Sequence, residues 1–455
     1  MSKKLEITFW GGVGAVTGAN FLVRGEYSAF IVDCGLLQGV PEADQENTAD
    51  FPYNLGEIDY GFITHAHMDH IGKIPKLFRD GFTGSLFSTP ETKEIARVML
   101  TDALKIMEQN KREKQIAPLY EQDDLDKALS HWRTIPYHTH TKINDEFSVF
   151  LKDAGHILGS SMFEFTYGTK KIVFTGDSGN SPTPILRDTE KITDADYVIM
   201  DSVYGDRNHE SKEERDAKFK RVLIEGVARG GTIVIPAFSL ERTQVILYEI
   251  NNLVEEKQIP SVPVFLDSPL ALKVTDIYKH TVKYFNQGVQ KEIKGGDDIF
   301  NFPKLRIVRD GKESKSLLEE PSPKIIIAGS GMSSGGRVVY HEMNYLPDPK
   351  STILLMGYQA VGTLGRSIQE APKELMIQNV KIPVRARIEM ITGYSSHKDG
   401  EHLLDMIADT AETVKKVFVV MGEPKASLFL VQRLRDYLDV DALYPKRGKP
   451  YILDC

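Results

Sequence analysis

The sequence predicts an α/β protein of two units, the second inserted into the first, and three observations predict it. Short apolar runs follow one another closely at the start; from about residue 210 they alternate with long amphipathic stretches; after about residue 380 the mixed pattern returns. A chain of 455 residues also exceeds what a single small core accommodates. In order, the runs "LEITFW", "SAFIVD", "YGFITH", "FSVFLKDAGH", "MFEFTYG", "KIVFTGD" and "YVIMDS" read as strands, bounded by turn residues. Short turns between early neighbours suit hairpins, and "PETKEIARVMLTDALKIMEQNKREKQ" has the apolar spacing of a helix that covers a sheet face. Next come helix "KEERDAKFKRVLIEGVARG", strand "TIVIPAF", helix "RTQVILYEINNLVEEKQ", strand "VPVFLDS", helix "PLALKVTDIYKHTVKYFN" and strand "KIIIAGS". Such alternation implies parallel strands joined by crossover helices. The runs "VRARIEMITG" and "KKVFVVMG" and the helix "ASLFLVQRLRDYL" then resume mixed character. The boundaries read from this pattern are 1–207, 208–380 for the insertion, and 381–455 for the return.

A hydrophobic content of 41% and a charged content of 26% are ordinary for a water-facing globular chain. The net charge of −8 argues against a uniformly basic surface but leaves room for a local basic groove. Two cysteines, Cys34 and Cys455, with no CxxC pair, suit a reducing compartment. No apolar signal segment opens the chain, and no apolar run reaches membrane-spanning length, so the expectation is cytoplasmic.

The densest chemistry lies in "GFITHAHMDHI", where His65, His67, Asp69 and His70 follow an apolar strand. On an extended segment His65 and His67 share a face, and a turn after Met68 brings Asp69 and His70 in from another side. Imidazole nitrogens and carboxylate oxygens are the usual ligands of Zn²⁺ and similar divalent ions. A lone His is more often structural; three with an Asp at this spacing point to metal. His156 in "DAGHILGS" and Asp177 in "VFTGDSGN" each follow an apolar run, as ligand loops at sheet edges do.

The HxHxDH pattern, the later "AGHILGS" and the "TGDSG" turn resemble the metallo-β-lactamase superfamily. The resemblance implies an αβ/βα sandwich carrying two zinc ions. It implies that one zinc takes His65, His67 and His156, that the second takes Asp69 and His70, and that Asp177 bridges them. Asp33 in "IVDCG" matches the family's early aspartate and is expected to orient a ligand from behind. Such metals lower the pKa of a water and so supply a nucleophile, with Asp69 beside it.

"VIMDSVYGDR", "PAFSLERTQ", "FLDSPLALK", "GSGMSSGGRVVYH", "GYQAVGTLGRS" and "GYSSHKDGEHLL" resemble successive motifs of the β-CASP nucleases, nearly end to end. The implied architecture is a metallo-β-lactamase sandwich with an inserted parallel-sheet α/β β-CASP domain. The implied activity is zinc-dependent hydrolysis of single-stranded RNA, as an endonuclease with 5′-exonuclease action as a further mode. DNA or another ester is the alternative substrate, and a catalytically weak RNA-binding scaffold the second alternative. Asp201 corresponds to the motif A acid and His397 to the motif B histidine. A His paired with a carboxylate holds its tautomer and can donate a proton to a departing 3′ oxygen. Small residues of "GSGMSSGGR", with Ser330, Ser333 and Ser334 ahead of a helix, suit a phosphate cradle, and Arg337 and Arg366 add charge-assisted donors. By family analogy a second copy of the chain is an expected partner.

Two features limit these expectations. RNA-cleaving members carry a motif C histidine where "KKVFVVMGEPKAS" has Met421. A thioether is a poor ligand for Zn²⁺ beside oxygen and imidazole, so the second site is expected to be the weaker. "GGVGAVTGAN" has GxGxxxG spacing and precedes a strand, so it reads as a tight hairpin near the metal edge rather than a dinucleotide loop. "YHEMN" lacks the second His of a zincin, and His138 and His140 match no motif.

Overall fold

The computed structural model describes residues 4–455, which divide into two units. One comprises the chain up to Thr183, Arg187–Asn208 and His397–Cys455; the other comprises Pro184–Leu186 and His209–Ser396.

The first unit is built on two seven-stranded sheets. In one, the hairpin-linked strands Lys4–Phe9, Phe21–Arg24 and Ala29–Val32 are followed by parallel Tyr60–Phe62, Ser85–Ser88 and Trp132–Thr134, and Pro450–Asp454 closes the other edge. In the second, the meander Phe147–Asp153, Ser161–Tyr167, Lys170–Phe174 continues in parallel into Tyr197–Met200 and Lys416–Val419. Phe147–Asp153 alternates strictly between buried and half-buried positions, the period-2 pattern of a strand with one face in the core. Aromatics meet where the sheets face each other: Phe30 stacks on Phe165 with centroids 4.8 Å apart, and Phe62 meets Phe165 edge-on at 4.9 Å. Each such pair adds about 0.5–1.5 kcal/mol beyond its burial. Helices Gly400–Ala408 and Pro424–Leu438 cover the other face of the second sheet, setting Leu403, Ile407, Leu430 and Leu434 against Met162, Val173, Val198 and Val417. "GGVGAVTGAN" is a broad loop linking two antiparallel strands rather than a tight turn.

The second unit carries a six-stranded parallel sheet ordered Leu305–Ile307, Val264–Asp267, Lys324–Ala328, Thr232–Pro236, Thr352–Met356, Arg387–Ile391. Its central strands are buried at every position, which is why they read as unbroken apolar runs. Arg387–Ile391 was expected to return to the first unit; it instead pairs in parallel with Thr352–Met356, so the second unit runs to Ser396. Among the described residues no helix is long and apolar enough to cross a membrane.

Candidate active site

Strand ends place the site's residues. Tyr60–Phe62 runs parallel to Ala29–Val32, so Asp33 and the segment from Thr64 onward emerge at the same edge. His67 precedes a single helical turn, Met68–Ile71, which swings Asp69 and His70 back toward it. In the opposite sheet the loop between Phe147–Asp153 and Ser161–Tyr167 carries His156, whose backbone N–H donates to Ser160 Oγ at 3.1 Å. Asp177 and Asp201 lie just past the parallel strands Lys170–Phe174 and Tyr197–Met200. His397 pairs with Gly179 in an isolated antiparallel bridge, and the Lys398 N–H donates to Ser178 O at 2.8 Å. Loops approach backbone to backbone: a Cβ on Gly35 would lie 1.4 Å from Asp69 O, and one on Gly179 would lie 2.0 Å from Gly155 O.

The resulting geometry fits a divalent cation. His67 Nδ1 lies 3.2 Å from His65 Nε2 and 3.1 Å from His156 Nε2, and Asp177 Oδ2 lies 3.5 Å and 3.6 Å from the same two Nε2 atoms. Ligands held tetrahedrally at zinc bond lengths are roughly 3.3 Å apart. Four of the six edges among His65, His67, His156 and Asp177 thus lie near those of a coordination tetrahedron, and all four atoms lie within 4.8 Å of one another. The other Asp177 oxygen, Oδ1, lies 3.4 Å from His70 Nε2, and Asp69 Oδ2 is 3.8 Å from that nitrogen. Among the described residues His70 Nε2 and Asp177 Oδ1 are buried with no hydrogen-bond partner, which is costly unless a further group sits between them.

The network behind these atoms sets their protonation. Asp33, with φ of 61°, accepts from Thr64 N at 2.8 Å and from Thr64 Oγ1 at 2.7 Å, and its Oδ2 lies 2.8 Å from His70 Nδ1. The Asp33 contact keeps a proton on His70 Nδ1, so Nε2 is the nitrogen that a metal would take, displacing any proton there. Since Thr64 Oγ1 spends its proton on Asp33, it accepts from His65 Nδ1 at 3.0 Å, which frees His65 Nε2 in the same way. Burial, with His70 beside it, holds the His65 pKa well below the usual imidazole value. Burial also pushes Asp69 up to about 6, while for His70 the desolvation is outweighed by Asp177, Asp33 and Asp69, which raise it. Thr64 is a functional residue that sequence reasoning missed, though it directly precedes the first ligand.

Asp33→Asn should weaken metal binding by about 10–100-fold. An amide facing both the Thr64 hydroxyl and His70 Nδ1 must set a donor against a donor, releasing the ring. Metal competition with a chromophoric chelator reads the change; unchanged affinity would remove Asp33 from this role.

Asp177 also belongs to a second group with Asp201 and His397, whose ligand-capable atoms lie within 4.8 Å of one another. His397 Nδ1 is 3.9 Å from Asp201 Oδ2, and Asp201 Oδ1 accepts from Ser178 N at 3.1 Å. Burial raises the Asp201 carboxyl, with His397 pulling partly against it; His397 is itself raised because Asp201 and Asp177 outweigh its desolvation. Both shifts favour a proton held between them.

Other expected positions are occupied differently. Met421 is buried in the core between the sheets, with its Sδ 2.5 Å from where a Gly12 Cβ would stand. In the second unit Ser333 is buried and donates to Glu342, so its hydroxyl is not offered to a phosphate. The Arg337 guanidinium is held by Asp267 Oδ1 at 2.6 Å, and Asp267 also takes His341 at 2.7 Å. Ser330 Oγ accepts from Ser334 N at 3.0 Å. Of the five, Ser334 is exposed, and Arg366, whose nearest carboxylate is Glu370 at 3.7 Å, is the less committed arginine. His138 pairs with Glu190 at 2.7 Å.

Comparison with known proteins agrees with this layout. Residues 22–198 match the model of a metallo-beta-lactamase superfamily domain, 243–368 a Beta-Casp domain, and 381–445 a Zn-dependent metallo-hydrolase RNA specificity domain. The chain is 33% identical to a ribonuclease of Thermus thermophilus over 94% of its own length and 95% of the relative's. It is 29% identical to the transcription termination factor FttA of Methanosarcina mazei, covering 96% of this chain and 70% of that one. Identity to an RNase J-like protein of Methanocaldococcus jannaschii is 27% over 97% and 98% of the two chains. A crystal structure of a protein of unknown function from Enterococcus faecalis V583 shares the fold at a TM-score of 0.57, with 13% identity over 99% of this chain and 100% of that one.

Proposed function

Because this chain belongs to the β-CASP family of the metallo-β-lactamase superfamily, metal-dependent nucleases that process RNA, we infer that it is a two-zinc endoribonuclease acting on single-stranded RNA. The observation that carries the reading is the shared carboxylate: Asp177 belongs both to the His65–His67–His156 group and to the Asp201–His397 group. A metal site and a proton donor thus stand within one phosphodiester of each other.

When bound, the ions lower the pKa of a water and offset the charge that grows on the phosphoryl oxygens. Asp69, half-buried beside His70, accepts the proton of the attacking water. His397, facing Asp201 at 3.9 Å, gives a proton to the departing 3′ oxygen. His65, His67 and His156 would hold one ion and His70 and Asp69 the other, with Asp33 fixing the His70 ring and Thr64 the His65 ring. With Met421 turned into the core, the second site has the smaller donor set and the lower affinity. Arg366 and Ser334 are the remaining candidates for holding the RNA backbone. A cytoplasmic location and a homodimer complete the reading.

The test uses purified protein with end-labelled single-stranded RNA, matched DNA, and a chelator control. Internal cleavage of RNA, lost on chelation and restored by Zn²⁺, is the expected result. Faster cleavage of the DNA would reverse the substrate assignment, and cleavage of neither at full metal loading would end the nuclease reading.

A further inference from the structure

Beside the metal loops, within the first unit, two adjoining depressions of about 300 and 370 Å³ share four lining residues: Trp10, Glu46, Lys73 and Arg447. Gly11–Gly14 and Thr17–Gly18 line the first; Asn20, Asp50 and Phe51 line the second. The backbone ties this region to the candidate site, since Ala19 N donates to Asp69 O at 2.9 Å and Lys73 N donates to Cys34 O at 2.9 Å.

Both signs of charge line the depressions, Glu42, Glu46 and Asp50 beside Lys73 and Arg447, and Lys73 is the cation with no carboxylate partner among the described residues. Trp10 Nε1 is buried with no hydrogen-bond partner among the described residues. The Lys73 ammonium sits 5.9 Å above the Phe51 ring, with Lys76 held 4.3 Å from the same ring by Asp80 and Ala49 O. Burial lowers the Lys73 pKa, Cys34 opposes it, Lys76 and Arg447 lower it further by like charge, and Glu46 also opposes. Arg447 is anchored, its Nε donating to Trp10 O at 2.9 Å and its NH2 nitrogen to Glu46 Oε2 at 2.5 Å. An ammonium without a carboxylate partner, beside a guanidinium anchored on Glu46, an unsatisfied indole N–H and two aromatic rings, suits an anion joined to a flat, stackable group. A nucleotide combines those properties, and stacking plus phosphate contact is how single strands are held without reading sequence.

We propose that Trp10, Phe51, Lys73 and Arg447 form an accessory nucleotide subsite on the first unit, separate from the metal ligands, that takes one phosphate and its base from the RNA strand. The assignment of the strand as RNA rests on the nuclease reading above; the binding chemistry does not.

The test exploits the chain's two tryptophans. Trp132 is buried and hydrogen-bonded to Ser88 at 2.8 Å, so a change in fluorescence on adding ligand reports Trp10. The full chain, with metal chelated to prevent cleavage, is titrated with AMP, with adenosine, and with a single-stranded RNA twelve-mer. Quenching by AMP and by the twelve-mer, and not by adenosine, is expected. Lys73→Gln should weaken both affinities by about three- to tenfold and reduce the salt slope of twelve-mer binding by about 0.7. Lys73→Arg, which restores the charge, should recover them and shows that loss in the first variant is not misfolding. Quenching by AMP with none from the twelve-mer would keep the site and assign it to free nucleotides. Absence of quenching by either, or equal binding by Lys73→Gln, overturns the proposal even if the protein cleaves RNA. Conversely, a Lys73-dependent quench in a protein that cleaves no RNA leaves the subsite standing and removes the nuclease reading.

Discussion

Asp177→Ala should lower RNA cleavage by about a thousandfold or more and strip the protein of bound metal. The carboxylate is buried and its two oxygens serve different neighbours, Oδ2 facing His65 and His156, and Oδ1 facing His70. Burial alone would raise its pKa, but His70, His65 and His397 hold it well below the usual carboxylate range, so it stays charged. Removing it takes one ligand from each donor set and leaves His65 and His156 without the carboxylate they face. Elemental analysis of the purified variant, beside a cleavage assay, checks the expectation. Retention of two ions per chain would show that Asp177 is not the bridge. Asp177→Asn is the sharper companion, because it keeps the volume and loses only the charge.

His397→Ala should slow cleavage by about 10²–10⁴-fold while leaving metal content intact. The two outcomes separate because His397 stands outside the tetrahedral group and faces Asp201 and Asp177 at 3.9 Å each. A proton donor speeds departure of the leaving oxygen, so a substrate with a good leaving group, such as a nitrophenyl phosphodiester, should suffer much less from the change. An equal loss on both substrates would count against proton donation, and a loss of metal would make His397 a ligand. Asp201→Asn should follow the same pattern more weakly.

These expectations rest on features that differ in how visible they were in the chain. The short spacing of His65, His67, Asp69 and His70 is local, and a strand followed by one helical turn is enough to explain why the structure gathers them. His156, Asp177 and Asp201 share a different signal: each lies within three residues of the end of an apolar strand, and parallel or hairpin pairing brings such ends to one edge. What stayed hidden depends on partners far away in sequence. The strand Arg387–Ile391 has no mark of which sheet receives it, since its pairing with Thr352–Met356 is a matter of register. Ser333 and Arg337 look like phosphate donors in "GSGMSSGGR", and only the folded chain shows Glu342 and Asp267 already claiming them. Thr64 was passed over because a threonine at a strand end ordinarily has no task; here it relays one hydrogen bond between Asp33 and His65.

The donors of the tetrahedral group come from both seven-stranded sheets, His65 and His67 from one and His156 and Asp177 from the other. Elsewhere the sheets meet through non-directional apolar packing of residues such as Phe30, Phe62 and Phe165; a cation gripped from both sides would be a rivet with fixed bond lengths. On the metal-binding reading, cation supply should govern the endurance of this half of the molecule as well as its chemistry, and the metal-free chain should be the softer one.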